Sequence, residues 1–163
     1  MPDSAQHRQF MEMLDAHGPA LMGMLRRLCG GRYDAEDVFQ DTAVRIWRGF
    51  GGRPRLRNPR GWIMTIGYRA YLDARARTRG HEELRDAPDR GARPAEEAVE
   101  HSEACRNVRA AIAELSEPIR EVVVCHYLGG LSLSETASVM KLSPGTVKSR
   151  LSAALSRLRS VLE

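Results

Sequence analysis

The sequence has few of the residue patterns that build metal, redox or enzymatic sites. Its three cysteines form no CxxC pair, and neither they nor the five histidines show the spacing of metal ligands. No glycine loop suited to phosphates and no acid–base pair is evident. We therefore expect no catalytic residue, no metal site and no cofactor, and an enzyme is the least favoured class.

Long apolar segments are also missing. No stretch approaches eighteen apolar residues, and no apolar run follows a basic N-terminus, so we expect neither a membrane span nor a signal peptide. The odd number of cysteines, Cys29, Cys105 and Cys125, indicates reduced thiols in a cytoplasmic protein, two of them on predicted apolar faces. Inert buried thiols are favoured over a sensing role, which the sequence leaves open.

The alternating pattern of β-strands is absent as well, and the predicted fold class is all-α. Composition divides the chain into a helical block at 1–79, an acidic flexible linker at 80–104 and a second helical block at 105–163. The segment 80–104 contains eight acidic residues and three arginines. Each block is small, so each buries a modest core and is expected to be marginally stable alone.

Three helices are predicted in the first block. An apolar stripe that includes Leu21 and Leu25 marks the first helix, which Gly30-Gly31 ends and Gly18-Pro19 kinks or divides. Asp34 opens the second helix and Asn58-Pro59 the third. The expected buried positions of these two helices are Ala35, Val38, Phe39, Ala43, Ile46, Trp47, Phe50, Trp62, Ile63, Ile66, Ala70 and Ala74.

The second block ends in a predicted helix-turn-helix between Leu131 and Leu158. Ser132 and Glu135 have the spacing of a capping box, and Ser143-Pro144 supplies an N-cap with a proline at the first helical position. Before this motif, Ser116 is expected to cap a helix whose apolar stripe is Ile119, Val122, Val123 and Tyr127. The pattern favours DNA binding over an ordinary helical hairpin.

Charge favours a polyanionic partner. The net charge is +4, and the segment 53–79 contains eight arginines and a single acid, Asp73. Aromatic residues are interleaved with these arginines, a combination suited to single-stranded nucleic acid. Trp62 is expected to be core. Tyr68 and Tyr71 are better candidates for exposure, with closure of the core by either ring left open.

A polar ridge is predicted on the second helix, where Asp37, Asp41 and Arg45 recur at four-residue steps beside Gln40 and Arg48. Such a ridge is either a solvated surface or a docking face with fixed charges.

Together the two blocks resemble the extracytoplasmic-function (ECF) sigma factors of bacterial RNA polymerase. The segments DAEDVFQDTAVRIWR and NPRGWIMTIGYRAYLDARAR resemble sigma region 2, and LSEPIREVVVCHYLGGLSLSETASVMKLSPGTVKSRL resembles region 4. The resemblance covers nearly the whole chain. It implies two helical domains, the first binding core polymerase and the −10 promoter element and the second binding the −35 element.

The resemblance also implies site residues. The implied contacts to the polymerase β′ coiled coil are Asp37, Gln40, Asp41, Arg45 and Arg48, with Trp47 as packing support. The implied −10 set is Arg53, Arg55, Arg57, Asn58, Arg60, Tyr68, Arg69, Tyr71 and Arg75. The implied −35 set is Ser143, Thr146, Lys148, Ser149, Arg150 and Ser152. Relatives commonly carry bulky or basic residues where this chain has Ser152-Ala153-Ala154, so its −35 preference stays open.

The implied partners are core RNA polymerase, through its β′ and β subunits, promoter DNA and an anti-sigma factor. The free protein is expected to be a monomer. The alternative is a stand-alone helix-turn-helix repressor or activator, which would bind duplex DNA as a dimer. No extra dimerisation helix supports that alternative, and it leaves the first block without a role.

Overall fold

The computed structural model describes residues 4–51, 56–82 and 102–163. These residues form helices joined by short turns, with no strand among them, and the all-α prediction is confirmed. The chain divides into two compact units, Met1–Ala92 and Arg93–Glu163. Most of the predicted linker lies outside the described residues, and its bounds remain a prediction.

The described residues of unit 1 form a bundle of three helices, α1 (Ser4–Cys29), α2 (Ala35–Phe50) and α3 (Pro59–Glu82), each packed against the other two. Its largest fully buried side chains are Leu21, Met24, Leu25, Thr42, Ile46, Ile63, Met64 and Tyr71. The apolar stripes predicted from the sequence thus supply most of this core.

Local caps set the helix starts in unit 1. The Asp34 carboxylate accepts hydrogen bonds from the backbone N–H groups of Glu36 at 2.9 Å and Asp37 at 3.3 Å. Asn58 Oδ1 accepts from the Gly61 N–H at 2.9 Å, directly before Pro59. Both predicted starts are confirmed.

Pro19 does not divide the first helix. The helix runs unbroken from Ser4 to Cys29 with an exposed Pro19 inside it. A proline removes one helical hydrogen bond, at a cost of about 3 kcal/mol. Packing of the apolar stripe offsets that cost, since it continues beyond the proline into the buried Leu21 and Leu25.

Thr42 is a core residue that the predicted stripe omits. It is fully buried, and its hydroxyl donates to the Val38 carbonyl at 2.7 Å. This bond satisfies the polar group inside the core, so the methyl group can pack like that of a valine.

Unit 2 contains four α-helices among its described residues: α4 (Glu103–Ala113), α5 (Glu117–Val123), α6 (Leu133–Met140) and α7 (Pro144–Leu162). Its core cluster consists of Leu115, Val122, Val123, Ala137, Val147, Leu151 and Ala154. Ser116 lies at the N-cap position of α5 but makes no side-chain cap bond, so the capping expected of its hydroxyl is not seen.

Both helices of the helix-turn-helix begin at a capped residue, and the first cap is a reciprocal capping box. Ser132 Oγ accepts from the Glu135 N–H at 3.0 Å, and Glu135 Oε2 accepts from the Ser132 N–H at 2.7 Å. Lys141 ends α6 in the left-handed conformation with φ 54°, which turns the chain into α7. Ser143 Oγ then accepts from the Thr146 N–H at 3.1 Å. The predicted motif is confirmed, with both of its caps formed.

The helix before this motif departs from the predicted register. Residues Val124–Leu128 form a π-helical turn after α5. A π-turn holds one residue more than an α-turn, so it rotates the following side chains around the helix axis. Tyr127, predicted to be buried, is therefore 55% exposed. The expectation for Tyr127 was wrong because it assumed an unbroken 3.6-residue period.

Candidate polymerase and DNA surfaces

The outer face of α2 carries the predicted docking ridge. Asp37, Gln40 and Arg48 are exposed, and Asp41 and Arg45 are half-buried. Val44 lies on the same face, four residues after Gln40 and four before Arg48, and is 46% exposed. Sequence reasoning missed Val44, although its place between these polar residues was a usable signal. The face therefore combines charges of both signs with one apolar contact point.

Arg45 is engaged with two carboxylates. Its Nη2 lies 2.9 Å from Asp41 Oδ2 on the same helix, and its Nη1 lies 2.7 Å from Asp73 Oδ2 on α3. Burial lowers the pKa of Arg45, but the bonds to both carboxylates outweigh that effect and leave the pKa raised. Arg45 thus connects the docking helix to the helix that follows it.

Trp47 supports the ridge from the inner side of α2. Its ring meets Phe10 edge-on at a centroid distance of 5.1 Å, and His7 approaches at 6.1 Å. The Trp62 ring lies so close to Gly49 that a β-carbon there would be 3.2 Å from it. The two tryptophans are half-buried and pack against neighbouring helices.

The start of α3 carries part of the predicted −10 set. Arg57 and Asn58 are exposed, and Arg60 is half-buried one residue after Pro59. The predicted contacts Arg53 and Arg55 lie outside the described residues. Further along α3, Arg69 is exposed.

Tyr68 and Tyr71 do not form an exposed stacking surface. Each is 2% exposed, and their rings lie 5.9 Å apart within unit 1. Tyr33 meets Tyr71 edge-on at 5.9 Å, and the Arg75 guanidinium lies 5.5 Å from the Tyr71 ring centre. The expectation of exposure was wrong, because these positions continue the inward face of α3 and large rings gain most from burial.

The first turns of α7 hold the predicted −35 set. Ser143, Lys148, Ser149 and Ser152 are exposed, and Thr146 and Arg150 are half-buried. Three hydroxyls are used locally: Ser143 Oγ lies 2.8 Å from Thr146 Oγ1, and Ser149 Oγ donates to the Thr146 carbonyl at 3.0 Å. Lys148 is consequently the long basic side chain that this face presents most openly.

The cysteines split into two classes. Cys29 and Cys125 are buried, and Cys105 is exposed at the start of α4. Burial, with a smaller contribution from the charge of Asp34, raises the pKa of Cys29 to about 12. Burial likewise raises the pKa of Cys125, with the charge of Glu121 adding to the effect. Two thiols are therefore held in the unreactive, protonated form.

Comparison with known proteins matches both units. Residues 13–81 match the family described as Sigma-70 region 2, and residues 105–158 match Sigma-70, region 4. SigL, an ECF RNA polymerase sigma factor of Mycobacterium tuberculosis, is 30% identical, over 93% of this chain and 87% of its own. The RNA polymerase sigma factor CarQ of Myxococcus xanthus is 29% identical, over 98% and 92%.

Solved structures agree. The sigma factor RpoE of Bartonella quintana, crystallised with the anti-sigma factor NepR, has a TM-score of 0.80 at 27% identity, over 95% of this chain and 97% of its own. CnrH, solved with the cytosolic domain of CnrY, has a TM-score of 0.62 at 28% identity, over 96% and 88%. The two units thus correspond to sigma regions 2 and 4. The chain belongs to the ECF family of RNA polymerase sigma factors. Within the residues that the structure describes, no helix is long and apolar enough to cross a membrane.

Proposed function

We propose that this ECF sigma factor starts transcription without catalysing a reaction itself, by docking on core polymerase through unit 1 and reading two promoter elements. The observation that carries the proposal is the order of two compact units that match sigma regions 2 and 4. Its place of work is the cytoplasm, where the polymerase transcribes. The proposed domain bounds are 1–79 for the first unit, 80–104 for the linker and 105–163 for the second.

The outer face of α2 is the proposed polymerase contact. Asp37, Gln40 and Arg48 project from exposed positions, and Val44 adds apolar area among them. Interfaces of this kind gain specificity from fixed charges and affinity from a desolvated centre. Asp41 and Arg45 belong to the same face, where they complete its charge pattern.

The start of α3 is the proposed −10 contact. Opening a duplex costs a few kcal/mol for each base removed from the stack, and positive charge beside the strand must offset that cost. The proposed contacts are Arg53, Arg55, Arg57, Asn58, Arg60, Arg69 and Arg75. Tyr68 and Tyr71 have a different role in this proposal: their buried rings fix α3 in the bundle.

The N-terminal half of α7 is the proposed −35 contact. A helix of a helix-turn-helix meets base edges with its first turns, and here those turns carry Lys148 in the open. Ser143, Thr146, Ser149, Arg150 and Ser152 complete the proposed contact set. Because Ser152 and Ala153 are short, we expect backbone contacts and DNA shape to contribute much of the selectivity.

A sequestering protein is the proposed regulator. RpoE and CnrH, which are structurally similar to this chain, were each solved with a protein partner, which is an anti-sigma factor in the case of RpoE. In this chain Tyr127, Leu128 and Val44 are exposed apolar residues that such a partner would cover.

Co-elution with purified bacterial core polymerase on size exclusion tests the docking proposal. The wild type is compared with Asp37→Arg, which reverses a charge on the α2 face, and with Asp15→Arg, the same change at an exposed position of α1. We expect stoichiometric co-elution of the wild type and Asp15→Arg, and its loss in Asp37→Arg. Co-elution of all three proteins would show that the polymerase interface lies away from Asp37. No co-elution, together with duplex binding by a dimer, would favour the stand-alone repressor.

A further inference from the structure

Arg45 and Asp73 join the proposed polymerase face to the proposed DNA helix. The planar guanidinium uses one edge for Asp41, with Nε at 3.3 Å from Oδ1 and Nη2 at 2.9 Å from Oδ2. Its remaining amino group, Nη1, lies 2.7 Å from Asp73 Oδ2 on α3. A rigid fork that binds two carboxylates at once fixes direction as well as distance.

This connection contributes little to holding unit 1 together. The side chains of Arg45, Asp41 and Asp73 are 32%, 33% and 58% exposed, and ion pairs this accessible contribute about 0.2–1 kcal/mol. Helices α2 and α3 already pack together at Gly49 and Trp62, and each contributes a fully buried isoleucine, Ile46 and Ile63, to the core. The geometry therefore points to a role in orientation.

The charge of Asp73 also calls for an explanation. It is the single acid between residues 53 and 79, where the resemblance to region 2 places the strand-separating surface. A carboxylate among arginines weakens the attraction to phosphate. The ion pair with Arg45 offers a structural role for a carboxylate that is unfavourable for DNA binding.

We propose that Arg45 and Asp73 are positioning residues that hold the DNA face of α3 in register with the polymerase face of α2. They favour promoter opening. Asp73, which lies outside the proposed polymerase and DNA contact sets, leaves polymerase affinity and the initial binding of duplex nearly unchanged. This inference rests on the proposed function, because it assumes that α2 docks on the polymerase and α3 acts on the −10 element.

Asp73→Asn tests the inference, because the substitution keeps size and removes the charge at an exposed position. Full-length protein with core polymerase is placed on a promoter located by mapping transcript 5′ ends, and permanganate reactivity of unpaired thymines follows opening. We expect opening to slow about threefold to fivefold. Affinity for core polymerase should change by less than about twofold.

Electrostatics alone predicts the opposite effect of Asp73→Asn on the rate of promoter opening. Removing an acid from a basic surface strengthens phosphate contacts, so Asp73→Asn would open the promoter as fast as the wild type or faster. Asp15→Asn, at an exposed position of α1, is the matched control and should behave like the wild type. A rate for Asp73→Asn at or above that of the wild type would overturn the inference.

A double-mutant cycle separates positioning from independent effects. If the two residues act through one contact, Asp73→Asn causes little further slowing in an Arg45→Lys background, since lysine lacks the bidentate fork. Slowing that multiplies across the two changes would contradict a shared role. Failure of the wild type to bind core or open any promoter would instead refute the proposed function, and this inference with it.

Discussion

Gly67 on α3 lies against the side chains of α1 with no room for a β-carbon. A β-carbon at this position would be 2.5 Å from Leu21 Cδ1 and 3.4 Å from Met24 Cε, and both side chains are fully buried. Gly67→Ala should therefore destabilise unit 1 by about 1 kcal/mol, because overpacking exceeds the gain in helix propensity.

Gly23→Ala is the matched control for this prediction. A β-carbon there meets no atom within 4 Å, so alanine should stabilise the unit by about 0.5–1 kcal/mol. Denaturant unfolding followed by tryptophan fluorescence reports on unit 1, since Trp47 and Trp62 are the two tryptophans of the chain. Equal stabilisation by both substitutions would show that the helix contact at Gly67 is looser than described.

The thiols provide a second prediction at the residue scale. At pH 8 one cysteine per folded chain should react rapidly with a thiol reagent, and Cys105→Ser should abolish that rapid phase. Cys29 and Cys125 are buried, and a pKa of about 12 leaves very little reactive thiolate at Cys29. Rapid reaction of two or three thiols in the native protein would contradict this assignment.

Four helix starts were the most predictable features of the structure, because each of them depends on a local cap. Asp34, Asn58, Ser132 and Ser143 all begin helices where the sequence indicates. The information for such a cap lies within three or four residues, so no knowledge of tertiary packing is needed.

Features that depend on tertiary contacts were not predictable. The burial of Tyr68 and Tyr71 depends on which helix faces α3, and the Arg45–Asp73 pair joins residues 28 positions apart in the sequence. Val44 and Thr42 exchange the roles suggested by their polarity, since the valine is exposed and the threonine is buried. The docking face could thus be located from spacing, but its internal pairing could not.

The π-turn makes a prediction at the scale of elements. Tyr127→Ser should change the stability of unit 2 by less than about 0.5 kcal/mol, because the ring is 55% exposed. Leu131→Ala, which truncates a residue that is 1% exposed, should cost about 2–5 kcal/mol. Hydrogen exchange of the α6 and α7 amides measures both. A large loss of protection in Tyr127→Ser would instead indicate that the Tyr127 ring is buried, as a regular α-helical register predicts.

At the scale of the whole molecule, free protein should bind promoter duplex weakly. Each unit offers few DNA contacts, so we expect a Kd no tighter than about 1 µM in physiological salt. Core polymerase should tighten binding strongly, because docking holds both units near their sites and raises the effective concentration of the second. Fluorescence anisotropy with and without core measures this. Nanomolar binding by the free protein would contradict the account.

The most direct test of the central claim is transcription from the DNA of the source organism. Core polymerase is incubated with fragmented genomic DNA, with and without this protein, and the 5′ ends of the transcripts are mapped. We predict a discrete set of protein-dependent 5′ ends preceded by two shared sequence elements at a fixed spacing, diminished by Lys148→Ala. An unchanged set of 5′ ends, with the protein present and folded, would contradict its assignment as a promoter-selecting initiation factor.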